Sequence, residues 1–121
     1  MSTTPALDFV LLYVSDLEES LAYFTQTIGL RHNPAADTPI FRGFVSEEGS
    51  IPFGICLPPD ETRRAGQIEV YFKTTNLDGM HDTLASKGVL TTAITHQPFG
   101  SIFTIDAPDG HVVTMLRPPA H

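Results

Sequence analysis

A glutamate set inside an apolar strand is the residue of this sequence best placed to do chemistry. Glu69 stands between Ile68 and Val70, and strand alternation gives it one face with Tyr71 and Lys73. If that face lines a cleft, desolvation would raise its pKa and make it a general base, the candidate catalytic residue of the chain. The other reading is a structural anion paired with Lys73, Arg42 or a tyrosine hydroxyl. The histidines form no ligand set by spacing. His32 lies at a strand edge, His81 beside the apolar stripe of a helix, His111 after the Asp109-Gly110 turn, and His121 in the tail. His96 stands at a strand end before Gln97-Pro98-Phe99-Gly100. Cys56 alternates with Gly54 and so shares its face. With no His or Arg adjacent in sequence, it reads as a small buried apolar residue rather than a nucleophile. The sequence holds no P-loop, dinucleotide fingerprint, G-x-S-x-G or zinc cysteine pair.

The elements that must position these residues are legible from residue 7 onward. Leu7 to Val14 is nearly all apolar and predicts a strand covered on both faces. Asp16, with Glu19 three residues on, predicts a capped helix start. Leu17, Leu21, Phe24 and Ile28 make one stripe of a helix, and Gly29 ends it. The same design returns from Gly66 to Val89: a strand over 67–74, Asn76 as cap, a helix over 77–87 striped by Leu77, Met80 and Leu84, and Gly88 as stop. Asp16 and Asn76 are 60 residues apart, as are Leu57-Pro58-Pro59 and Arg117-Pro118-Pro119. The chain therefore reads as two copies of one unit. Further strands are predicted over 30–33, 40–45, 51–57, 90–96, 101–106 and 112–117, with a loop over 34–39. The expected fold class is α+β: two β-α-β-β-β modules, 6–58 and 66–117, joined by a polar linker over 59–65 in a single domain.

Composition narrows the function. The chain has 121 residues, 41% of them apolar, a net charge of −7 and one cysteine. That charge disfavours a phosphate-binding groove, so no nucleic-acid partner is expected. No apolar run approaches the ~20 residues that span a bilayer, so no membrane partner is expected either. The start, MSTTPALD, has no signal-like stretch, and a lone cysteine excludes an intrachain disulfide; both point to the cytoplasm.

Three stretches in this order, LLYVSDLEESLAYFTQTIGL, TTNLDGMHDTLASKG and QPFGSIFTIDAPDGHVVTML, resemble the vicinal oxygen chelate superfamily, the glyoxalase, bleomycin-resistance and extradiol dioxygenase group. The resemblance implies paired β-α-β-β-β modules, a U-shaped cleft, a homodimer, and a divalent metal held by His and Glu from the first and last strands of each module. It puts those four positions at Phe9, Gly54, Glu69 and Thr114. Phe and Gly carry no ligand atom and a threonine hydroxyl is a poor one, whereas such metals need three or four protein donors. No metal and no other cofactor is therefore expected.

The function this implies is metal-free binding of an aromatic or amphipathic small molecule in a cleft, in the manner of bleomycin-resistance proteins. Its walls would be Phe9, Tyr13, Phe44, Phe53 and Tyr71 with Phe99 and Phe103. His96, at a strand end that borders the ligand in this group, and Thr114 would be among the contacts. The alternative is a lyase, isomerase or dioxygenase that uses Glu69, His96 and His111 as unconventional metal ligands, or Glu69 alone as base. A dimeric domain serving another protein is the third reading.

Overall fold

Both helix caps form where the sequence places them. In the computed structural model, which describes residues 5–47, 49 and 51–119, Asp16 Oδ1 accepts from the Glu19 N–H at 3.0 Å and Asn76 Oδ1 from the Gly79 N–H at 3.2 Å. The elements in order are β1 (Ala6–Tyr13), α1 (Leu17–Ala22), a π-helical turn (Tyr23–Thr27), β2 (His32–Asn33), a 3-10 turn (Pro34–Ala36), β3 (Phe41–Phe44), β4 (Phe53–Cys56), β5 (Ile68–Lys73), α2 (Leu77–Ser86), β6 (Thr95–Gln97), β7 (Gly100–Asp106), a 3-10 turn (Pro108–Gly110) and β8 (Val112–Arg117). The fold is α+β. Its strands run in the order β2-β3-β4-β1-β5-β8-β7-β6. Among the described residues no helix is long and apolar enough to cross a membrane. His121 and Ser50 lie outside the described residues.

By contact density the chain forms two units. One is Phe9–Glu69; the other is the chain from Val70 on, together with the residues through Asp8. In the first, β1 runs parallel to β4, pairing Leu11 with Gly54 and Tyr13 with Cys56, and β4 runs antiparallel to β3. Leu17, Phe44 and Ile55 form its buried centre, with Leu12, Val14, Leu21, Phe24 and Phe53 packed on it. The Phe44 and Phe53 rings stack at 5.6 Å, and Phe24 meets both edge-on. This centre lies between the first helical segment and one face of the strands. The opposite face carries Phe9, Leu11 and Tyr13 of β1, Gly54 and Cys56 of β4, and Phe41 of β3, as period-two alternation requires.

In the second unit, β6, β7 and β8 form an antiparallel meander, with Phe103 facing Met115 and Thr104 facing Thr114. Leu77 of α2 packs on Phe103 and Met115, with Met80 and Leu84 beside it, so the predicted stripe of this helix is buried as a stripe.

Two expectations change. Ile28 is 53% exposed rather than buried. Its N–H reaches back five residues to the Tyr23 carbonyl at 3.1 Å, and this wider turn rotates Ile28 off the line of Leu17, Leu21 and Phe24. The strand predicted over 90–96 shrinks to Thr95–Gln97, with one isolated bridge from Thr91 to Ile105. Thr92 explains the loss: its hydroxyl takes the Thr104 N–H at 2.8 Å, a side-chain bond in place of a ladder. Leu90, just before, is almost fully exposed.

Candidate ligand site

Glu69, on β5, is 4% exposed and is met by two donors on one oxygen. The Tyr13 hydroxyl donates to Oε1 at 2.7 Å and Arg63 Nε to the same atom at 3.1 Å. Both bonds favour the ionised carboxylate. Backbone pairing brings Tyr13 there: its N–H donates to the Gln67 carbonyl, and its own carbonyl accepts from Gly66. A turn brings Arg63. The Asp60 carboxylate accepts from the backbone N–H and hydroxyl of Thr62, and the Arg63 N–H donates to the Asp60 carbonyl, so the chain folds back on itself. The Thr62 bonds hold the Asp60 carboxyl below its ordinary range, with Arg63 adding a smaller pull. Arg63 Nη1 then grips the Thr62 carbonyl at 3.1 Å and hydroxyl at 3.3 Å, while Gln67 Oε1 accepts from the Arg64 N–H.

The electrostatics follow from this arrangement. Burial pushes the Tyr13 phenol far above its usual pKa, and the hydrogen bond and charge of Glu69 push it further; Arg63 opposes both. Burial alone would lower the pKa of Arg63, but the bond to Glu69 and its charge outweigh that and raise it. Burial raises the Cys56 thiol, and the Glu69 charge adds to the rise. Cys56 is 7% exposed and its thiol points at the Leu57 carbonyl, 3.2 Å away. A thiol that is both buried and held protonated is a poor nucleophile. The folded protein should therefore react with a disulfide reagent at pH 8 at least about tenfold more slowly than the denatured chain; equal rates measured by thiolate release would contradict this placement.

The partners of Glu69 were half legible. A tyrosine hydroxyl does engage it. Lys73 instead lies 3.9 Å from Asp8, and Arg42 bonds Glu18 at 3.0 Å and approaches Asp37. Arg63 was missed; the signal was an Asp-x-Thr turn immediately before the only basic pair flanking the Glu69 strand.

The other predicted residues divide by face. Phe9 is half-buried, its ring 6.4 Å from that of Phe41. A Cβ placed on Gly54 would collide with the Phe41 ring and come within 3.2 Å of Phe9. Phe41, absent from the predicted wall, thus fills the space a side chain at position 54 would need. Phe44 and Phe53 are not on this face. They belong to the centre beneath the first helical segment, because Phe53 precedes Gly54 and adjacent strand residues point oppositely. Phe103 likewise packs under α2, its ring edge-on to His81 at 4.9 Å, and is no wall residue. Thr114 is wholly buried in the second unit, opposite Thr104. Tyr71 is half-buried, and Phe99 is 51% exposed. His96 is exposed, its Nδ1 2.7 Å from the Ser101 hydroxyl. His111 is half-buried, and His32 bonds Asp37 at 2.8 Å. A depression of about 300 Å³ in the second unit is lined by Thr74, Asn76, Gly79, Met80 and Thr83, none of them predicted.

The residues do not fit a metal of the kind the resemblance implies. Phe9 and Gly54 offer no donor, Phe41 fills the space beside them, and Glu69 Oε1 already accepts two bonds. Among the described residues no group of three or more His, Cys, Asp and Glu side chains could hold an ion.

Comparison with known proteins places the fold. Residues 6–115 match the glyoxalase/bleomycin resistance protein/dioxygenase superfamily, and the chain belongs to that superfamily. No curated protein matches the sequence. Among solved structures, it is similar to the NAD-dependent benzaldehyde dehydrogenase from Legionella pneumophila, at 20% identity and TM-score 0.67 over 92% of this chain and 98% of that one. It is similar to methylmalonyl-CoA epimerase from Mycobacterium tuberculosis at 19% and 0.67, over 95% and 89%. A variant of homoprotocatechuate 2,3-dioxygenase from B. fuscum gives 15% and 0.69, over all of this chain and 35% of that one. At such identities the likeness shows the fold alone.

Proposed function

We propose that this protein binds an aromatic or amphipathic small molecule without a metal, on the face that carries Phe9, Phe41 and Glu69. The observation that carries the reading is Phe41. Its ring occupies the side-chain space at Gly54 and leans on Phe9, so hydrocarbon stands where a metal ligand would have to be. Beside it lies a buried charge pair, and an apolar wall with a few fixed polar groups is what a small-molecule site requires. Calorimetric titration with 2-naphthalenemethanol tests it. The chain should bind this neutral probe, and Phe41→Ala should weaken binding about tenfold while the far-UV spectrum stays native. Elemental analysis of protein purified without chelator should give no stoichiometric transition metal. One tightly held metal per chain, or binding indifferent to Phe41, would end this reading.

A metal-free isomerase or lyase is the second reading. The observation favouring it is the Tyr13 hydroxyl on Glu69, an acid beside a base in one buried site.

A further inference from the structure

The charges of the candidate site are matched within the chain. Glu69 Oε1 accepts from the Tyr13 hydroxyl at 2.7 Å and from Arg63 Nε at 3.1 Å. Arg63 Nη1 donates to both oxygens of Thr62, and a further side-chain bond joins the guanidinium to the Tyr13 hydroxyl. Carboxylate, guanidinium and phenol thus form a closed triangle, each bonded to the other two. The rest of the face, Phe9, Leu11, Phe41, Gly54 and Cys56, offers no charged side chain, and the Cys56 thiol is turned to the Leu57 carbonyl. Among the described residues no buried side-chain nitrogen or oxygen lacks a hydrogen-bond partner.

We infer that the site selects a neutral ligand, an aromatic alcohol, ketone or amide, and rejects carboxylates and amines of the same shape. This rests on the small-molecule reading above and adds the ligand's charge to it. An ion that leaves water needs a counter-charge in return. An amine reaches Glu69 only by displacing Arg63 or Tyr13 from a side chain that is 5% exposed. A carboxylate that approaches Arg63, 19% exposed, meets the like charge of Glu69 only 3.1 Å from the guanidinium. Either ion must also pull one member of the pair from the other, and the member left behind is a stranded buried charge. A neutral hydroxyl or carbonyl demands neither. The net charge of −7 does not tip the choice toward amines, because at physiological salt fields are screened beyond about 8 Å.

Calorimetric titration with three probes of one shape tests this at neutral pH: 2-naphthalenemethanol, 2-naphthoate and 2-naphthylmethylamine, the last two ionised. The wild-type chain should bind the alcohol at least about tenfold more tightly than either ion. Glu69→Gln takes away the counter-charge of Arg63, so the affinity for 2-naphthoate relative to the alcohol should rise about tenfold. The double variant Arg63→Met with Glu69→Gln holds neither charge, and its preference for the alcohol should return. Wild-type binding of either ion as tight as that of the alcohol overturns the inference, the carboxylate by revealing an available guanidinium and the amine an available carboxylate. A ratio unmoved by Glu69→Gln overturns it as well, since a purely structural pair shifts all three affinities together. In both cases binding that still requires Phe41 leaves the small-molecule reading standing. Failure of all three probes to bind removes both.

Discussion

Arg63→Met is expected to destabilise the protein by about 3 kcal/mol, and Glu69→Gln in the same chain to restore more than half of that. The single change removes the cation from a carboxylate that is 4% exposed, and breaking a buried pair from one side costs about 3–5 kcal/mol. The cost comes from the stranded charge, not from the lost attraction. A neutral amide of the same shape should therefore relieve it, and can still accept from the Tyr13 hydroxyl. Urea unfolding of the wild type, both single variants and the double variant gives the cycle. Additive effects would mean that the 3.1 Å contact contributes no more than a surface pair.

The second large effect is the response of stability to alkali. The phenol of Tyr13 titrates well above its ordinary value of 10.0, first because it is buried and then because it donates to Glu69. Above pH 10 the unfolded chain releases this proton and the folded chain keeps it. The unfolded state then binds fewer protons, so unfolding becomes easier as pH rises, by about 1.4 kcal/mol per unit for this one group. The contribution is complete below pH 10 and is lost as pH climbs toward the folded value. Cys56, also raised, adds a loss of the same sign from its ordinary value of 9.0 upward, so the test is a difference. Tyr13→Phe should be about 2 kcal/mol less stable than wild type at pH 8, having lost a bond to a charged group. That gap should close by about pH 12. A gap unchanged between pH 8 and pH 12 would place the phenol in water.

What the sequence showed was what is local. Asp16 and Asn76 cap their helices because a side-chain oxygen three residues from an orphan N–H needs no tertiary help. Tyrosine as a partner of Glu69 was legible because both lie on alternating strands. Faces were harder, since a slip of one residue exchanges them. Phe41 and Phe44 begin and end one four-residue strand and point oppositely, and only the packing under the first helical segment says which is covered. Phe103 pairs with Met115 and Thr104 with Thr114, so Phe103 and Thr114 could not both line one surface. Arg63 escaped because no periodicity describes a turn; its place depends on how Asp60 and Thr62 bend the chain. The loss of the ladder at Thr92 has the same origin, a hydroxyl competing with the backbone for one N–H.

The π-helical turn at Tyr23–Thr27 bears on the length of the first helical segment as well as on Ile28. Gly29 stands one position further from Asp16 than Gly88 does from Asn76. Both glycines sit in the left-handed conformation, at φ 94° and 83°. The first helical segment must therefore fit one more residue between equivalent end points, and a hydrogen bond that spans five residues instead of four takes it up. An insertion or deletion here is absorbed as a bulge in the helix wall, leaving cap, stop and the strands beyond them in place. The turn takes up the one-residue difference in length between the two helical segments.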